Sequence, residues 1–170
     1  IVLALIASSL TISTSLPANS ANQPRKILTG WIPYYSMKTS LPAVLNNADL
    51  IKEVMPFWYT LKFDGKAKAA VVTDLYGPAN PSIPIATPLT AMRAAGFQII
   101  PTITDGMDKL VLANLLASPA NRTKTAKTIS DFVLANNYDG IDLDFEGFAF
   151  VDGNATWAKT APLWVAFVKE

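Results

Sequence analysis

The sequence predicts an α/β fold built on a parallel sheet, and three observations carry that reading. Short apolar runs bounded by turn residues alternate with stretches of helical periodicity. Two of the helical stretches open on a hydroxyl residue followed by proline, Thr87-Pro88 and Ser118-Pro119. One strand carries an acidic side chain at every second position, from Asp142 to Glu146. Strands alternating with helices are the mark of βα units.

In chain order, Ile1 to Leu16 is apolar and small, without a charged side chain, and runs into Pro17-Ala18-Asn19-Ser20-Ala21. That is the pattern of a secretory leader with its small-residue cleavage site, so residues 1–21 read as a signal peptide and 22–26 as a linker. Ser8, Ser9, Thr11, Ser13, Thr14 and Ser15 interrupt the apolar run and argue against stable membrane insertion. The expected location is therefore outside a bacterial cell, secreted or on its wall.

Ile27 to Ile32 reads as the first strand, ended by Pro33-Tyr34-Tyr35 and followed by a helical stretch around Leu41 to Leu50. Glu53 to Leu61 reads as the second, weakened by Pro56, which has no N–H to give a ladder. Asp64-Gly65 marks a turn. The helix opened by Thr87-Pro88 passes Met92 and Ala95 and stops at Gly96, and Phe97 to Ile103 follows as the third strand. Pro119 to Ala135 carries Ala126, Ile129, Phe132 and Val133 at helical spacing and ends at Asn136-Asn137. Gly140 to Phe145 is the fourth strand, and Trp157 to Glu170 the next helix, with Pro162 near its start. About four βα units result, the first half of a (β/α)8 TIM barrel, which needs eight units and typically about 250 residues. Residues 27–170 thus read as the N-terminal half of a barrel domain, truncated at the C-terminus.

At 170 residues with 51% hydrophobic and 16% charged, the chain reads as folded. The formal charge of +1 says nothing of partners, but no basic run exceeds two residues and no basic–aromatic interleaving suggests a nucleic-acid groove, so a polyanionic ligand is not favoured. Cysteine and histidine are both absent, which removes thiolates, disulfides, histidine bases and the usual zinc ligands. Hydrolytic chemistry here must rest on carboxylates, hydroxyls, amides and tyrosine, and no cofactor or metal is called for.

The acidic row supplies the carboxylates. Side chains on a strand alternate, so Asp142, Asp144 and Glu146 are expected on one face, with Ile141, Leu143 and Phe145 on the other. Helices cover the apolar face, and the acids look into the barrel, Glu146 nearest its C-terminal mouth. Carboxylates ~6–7 Å apart repel by roughly 2–3 kcal/mol per pair at an effective dielectric of ~20. No lysine or arginine lies in the strand to offset this. One proton retained by the cluster relieves it, and a carboxyl group of raised pKa is a general acid. A solvated edge strand and a divalent-cation site remain alternative readings of the row. Charge burial favours catalysis.

Asp139 to Glu146 resembles the Asp-Gly-x-Asp-x-Asp-x-Glu signature of the family 18 glycoside hydrolases, the chitinase-like (β/α)8 barrels, at every fixed position. Gly30-Trp31, Phe57-Trp58-Tyr59 and Asp64-Gly65 resemble that family's first two strands more weakly. The resemblance implies hydrolysis of β-glycosidic bonds in an N-acetylglucosamine-containing polysaccharide, chitin-like or peptidoglycan-like. It implies a retaining, substrate-assisted mechanism in which the substrate's own acetamido oxygen is the nucleophile. Glu146 would protonate the glycosidic oxygen, Asp144 would hold the acetamido group, and Asp142 would keep Asp144 poised. Asp139 and Gly140 would shape the strand entrance. In the place of the Ser-x-Gly-Gly pattern of many members stands Pro101-Thr102-Ile103-Thr104-Asp105-Gly106, whose Thr102, Thr104 and Asp105 offer hydrogen bonds at the mouth. A catalytically inactive carbohydrate-binding protein on the same barrel is the alternative, and the presence of Glu146 argues against it. Strand-end placement makes Tyr34, Tyr35, Trp58 and Tyr59, with Trp31, candidate sugar-stacking surfaces, against core packing as the other reading.

Overall fold

The computed structural model describes residues 28–149 and 153–170; the expected signal peptide and linker, and Ile27, lie outside them. Strand β1 (Thr29–Pro33) leads through a single 3-10 turn, Tyr34–Ser36, into helix α1 (Met37–Leu45), earlier than the expected 41–50. Strand β2 (Glu53–Asp64) and β3 (Ala69–Asp74) form an antiparallel hairpin across the turn at Asp64-Gly65. Helices α2 (Tyr76–Ala79) and α3 (Ala86–Ala94) follow. Gly96 sits at φ +77°, a left-handed stop that glycine adopts without strain. The expected third strand is split into β4 (Gln98–Ile99) and β5 (Thr102–Asp105). Then come α4 (Val111–Leu116), α5 (Pro119–Ala135), β6 (Asp142–Asp144), α6 (Glu146–Ala149) and α7 (Gly153–Val168). Ser118 caps α5 by accepting the Asn121 N–H, as its sequence announces. Pro162 lies inside α7, well past its first turn.

The strand order is β1-β2-β5-β6, all parallel, with β3 and β4 also paired to β2. Pro56 does not interrupt β2, because its neighbour strand breaks beside it. β4 pairs with Glu53-Val54 and β5 begins its pairing at Phe57, so Met55-Pro56 lies opposite the gap at Ile100-Pro101. A missing N–H costs little where no ladder runs.

Helices cover one face of this sheet. Ile32, Val54, Trp58, Ile99 and Ile103 are almost wholly buried beneath it, with Met92 of α3, Leu112 and Leu116 of α4 and Ile129 of α5. The opposite face is concave. The sheet is a curled, mostly parallel half-barrel, the architecture of part of a TIM barrel.

Among the described residues β1 pairs only with β2, and β6 only with β5. Each therefore presents a row of unpaired backbone groups. The 170-residue chain produced alone is expected to self-associate and to show no hydrolytic activity. Size-exclusion chromatography with light scattering checks this, and a monodisperse, active preparation contradicts it.

Candidate active site

The segment entering β6 is clamped to the preceding strand. The Asp139 carboxylate accepts the Ile99 N–H at 2.8 Å while the Asp139 N–H donates to the Ile99 carbonyl at 2.9 Å. The Asp142 N–H then donates to the Pro101 carbonyl at 3.0 Å, which starts the ladder to β5. A Cβ added at Gly140 would meet only Ile100 side-chain atoms at 3.6 Å, an ordinary contact, so space alone does not demand glycine there. The strand is shorter than the expected 140–145. It runs from Asp142 to Asp144, and the chain turns into α6 at Glu146. Glu146 is thus not the third member of a strand face; it stands on the first turn of a helix, just past the strand's C-terminal end.

Asp142 is the anchored member of the row. Its Oδ2 accepts Thr102 Oγ1–H at 2.7 Å from β5 and Trp31 Nε1–H at 3.3 Å from β1. Asp144 pairs in register with Thr104, whose hydroxyl donates to Thr60 Oγ1 at 3.1 Å. Thr102, Thr104 and Thr60 line the concave face with hydroxyls beside the two aspartates. Asp142 and Asp144 are half-buried and Glu146 is exposed, so solvent reaches a row that the sequence placed in a dry interior. Among the described residues no lysine or arginine pairs with any of the three. Desolvation holds the Asp144 carboxyl above the usual carboxylate range, and the neighbouring charges of Glu146 and Asp142 push it further.

The aromatic candidates separate into two groups. Trp58 is 0% exposed and packs on Tyr76, ring centroids 4.6 Å apart, on the helix-covered side. Tyr59 is 4% exposed, its hydroxyl bonded to that of Tyr138 and its ring edge-on to Phe132. The structure places both in the core, not at the mouth, because Tyr76 of α2 packs over Trp58 and Phe132 of α5 with Tyr138 packs over Tyr59. Tyr35 is 72% exposed and meets Tyr34 edge-on, while Tyr34 stacks on Phe57 with ring planes 7° apart. Phe57, which the sequence reading passed over, also touches Trp31, itself 58% exposed. Trp31, Phe57, Tyr34 and Tyr35 therefore form a continuous aromatic strip beginning at Asp142.

A cavity of about 600 Å³ lies away from this row, between α5, α7 and the outward side chains Ile141 and Leu143. Its lining is mostly apolar, with Lys127 and Glu170 among it, and includes none of the three acids. Among the described residues no group of three or more His, Cys, Asp or Glu could hold a metal ion, and no helix is long and apolar enough to cross a membrane.

No protein-family model matches the sequence, and no curated protein does. Solved structures do match. A chitinase from Bacteroides thetaiotaomicron superposes with a TM-score of 0.60 over 85% of this chain and 41% of its own, at 16% identity. Catalytic domain 2 of the Group II chitinase from Ostrinia furnacalis gives 0.54 over 84% and 41%, at 15% identity. A mutant of that domain in complex with a penta-N-acetylated chitooligosaccharide, (NAG)5, gives the same values. The chain spans about two-fifths of the length of these structures. It is chitinase-like in its fold.

Asp144 binds its proton more tightly folded than unfolded. It therefore stabilises the fold below the ordinary aspartate value, and that stabilisation is lost as pH rises through its own raised value. Asp144→Asn is expected to match the parent's melting temperature at about pH 3 and to exceed it at about pH 7. Thermal melts at the two pH values check this, and a flat or reversed difference contradicts it.

Proposed function

We propose that this chain supplies the acidic strand of a chitinase-type glycoside hydrolase acting on β-linked, N-acetylglucosamine-containing polysaccharide, chitin-like or peptidoglycan-like. One observation carries the reading. Three carboxylates converge where the parallel strands end on the concave face, without a basic partner among the described residues, and an aromatic strip starts beside them. Barrel enzymes place their chemistry at that end of the sheet. The fold shared with chitinases, one of them holding (NAG)5, supports the substrate class.

In this reading Glu146, exposed on its turn, protonates the glycosidic oxygen as the bond to the anomeric carbon breaks. The acetamido oxygen of the substrate closes on that carbon from the other side, so no second enzymic nucleophile is needed. Asp144, the carboxyl group with the raised proton affinity, holds the acetamido N–H and stabilises the positive charge that develops on it. Asp142, fixed by Thr102 and Trp31, keeps Asp144 oriented. Water then attacks the anomeric carbon, the bond from that carbon to the acetamido oxygen breaks, and the water gives its proton to Glu146, restoring the acid with retention of configuration. Tyr34 and Tyr35 offer ring faces to further sugars. Secretion through the leader at 1–21 brings such an enzyme to its polymer.

The test is Glu146→Gln in a protein whose remaining strands close the barrel. Reducing ends released from N-acetylglucosamine oligosaccharides and from peptidoglycan are expected to fall by roughly 100-fold or more. Parental turnover by the variant sinks the assignment of the acid. Binding without turnover by the parent favours the carbohydrate-binding alternative.

A further inference from the structure

Asp105 closes β5, one residue beyond the Thr104–Asp144 pairing. It is half-buried, and among the described residues it has no basic partner. Its Oδ1 accepts the Met107 N–H at 3.0 Å, which fixes the carboxyl plane. Its Oδ2 points the other way, onto α6. A Cβ built at Gly147 would lie 2.8 Å from Oδ2 and 3.5 Å from Cγ, closer to the oxygen than real Cβ atoms come. Gly147 has no left-handed backbone to explain its identity. The close approach of this carboxyl group is what glycine permits there, and Gly147 directly follows Glu146.

We propose that Asp105 is a positioning residue for Glu146, seating the first turn of α6 on the end of β5 and thereby fixing where the Glu146 carboxyl stands over the concave face. The inference rests on Glu146 being the acid of the proposed reaction. Two neighbouring features support it. Gly106 stands against Thr60 Oγ1, where any side chain would collide, so the β5 end that carries Asp105 is itself held tightly against β2. Its N–H also donates to the Leu61 carbonyl at 3.1 Å. Burial holds the Asp105 carboxyl above the usual range, opposed by the hydrogen bond from the Met107 N–H.

The experiment is a double-variant cycle in the barrel-complete protein, with kcat, KM and melting temperature measured for Asp105→Ala, Gly147→Ala and the pair. Displacing an acid by a fraction of an ångström to an ångström lowers kcat by roughly 10- to 100-fold. Each single variant is expected to show that loss with KM within about twofold of the parent. The pair is expected to be no slower than the slower single variant, because the clash and the contact are one interaction. Parental kcat in Asp105→Ala overturns the inference, as do losses that multiply in the pair. Should Gly147→Ala fail to fold, Asp105→Ala decides alone, since it only removes atoms from a half-exposed site. An inactive Glu146→Gln beside a fully active Asp105→Ala overturns this inference and leaves the assignment of the acid standing.

Discussion

The hydrogen bond from Trp31 to Asp142 joins the first strand of the sheet to the last. Between them lie β2 and β5, so in a flat sheet the two backbones would stand about 14 Å apart, at 4.7–4.9 Å per strand. Side chains meet across that interval only because the strands twist and the sheet curls toward its inner face. Curvature is therefore the constraint on which the site depends. It brings an indole from residue 31 and a hydroxyl from residue 102 onto the same oxygen of residue 142. With Asp142 fixed, the β5–β6 register sets Asp144 opposite Thr104 and leaves the next acid at the strand's end.

The acidic row is tolerable for reasons that divide by residue. Asp142 has two donors on one oxygen. Asp144 has none of these among the described contacts, and it is the member whose proton affinity rises. Glu146 leaves the strand for a helical turn and stands exposed, so water solvates its charge even as that charge raises the proton affinity of Asp144. A straight strand continuing to Glu146 would have stacked three carboxylates at ~6–7 Å intervals against the hydroxyl-lined wall. The turn at Phe145-Glu146 sets the third carboxylate in solvent instead. Phe145 secures the turn from the other side, buried against Trp164 and Phe167 of α7. The apolar alternate positions of the motif thus hold the geometry that the acidic ones use.

Much of this was readable from residue order. Ser118-Pro119 and Gly96 are local signals with local causes, a capped N-terminus and a left-handed stop, and the chain obeys both. The alternation of Asp142, Leu143 and Asp144 needs only strand geometry. The break at Ile100-Pro101 was missed because an apolar run looks continuous until its partner strand is known. Helix α4 was missed as well. Its sequence, Val-Leu-Ala-Asn-Leu-Leu, is too short to show a period, and it follows a left-handed Leu110 that nothing in the sequence marks. Trp58 and Tyr59 sit beside Phe57 in sequence, yet only Phe57 joins the concave strip. A register shift between Phe57 and Tyr59 against β5 decides which rings turn inward, and a shift of that kind leaves no trace in composition or spacing.

Contacts between residues far apart in the chain carry the chemistry that local signals cannot. The eight residues from Asp139 to Glu146 contain the acids, but none of the groups that orient them. Ile99 and Pro101 align the strand through the backbone, Thr102 and Trp31 hold Asp142, and the end of β5 meets the turn after Glu146. All except Trp31 belong to the β4–β5 segment, where the sequence departs from the Ser-x-Gly-Gly pattern of many chitinase-like barrels. Threonine at 102 keeps a hydroxyl for Asp142, and at 104 it adds one beside Asp144. The carboxyl group at 105 occupies space that a glycine would leave open, and Gly147 gives that space back. The strand that departs from the pattern is thus the one that positions the strand that matches it, through Thr102 on Asp142 and the Pro101 carbonyl on the Asp142 N–H.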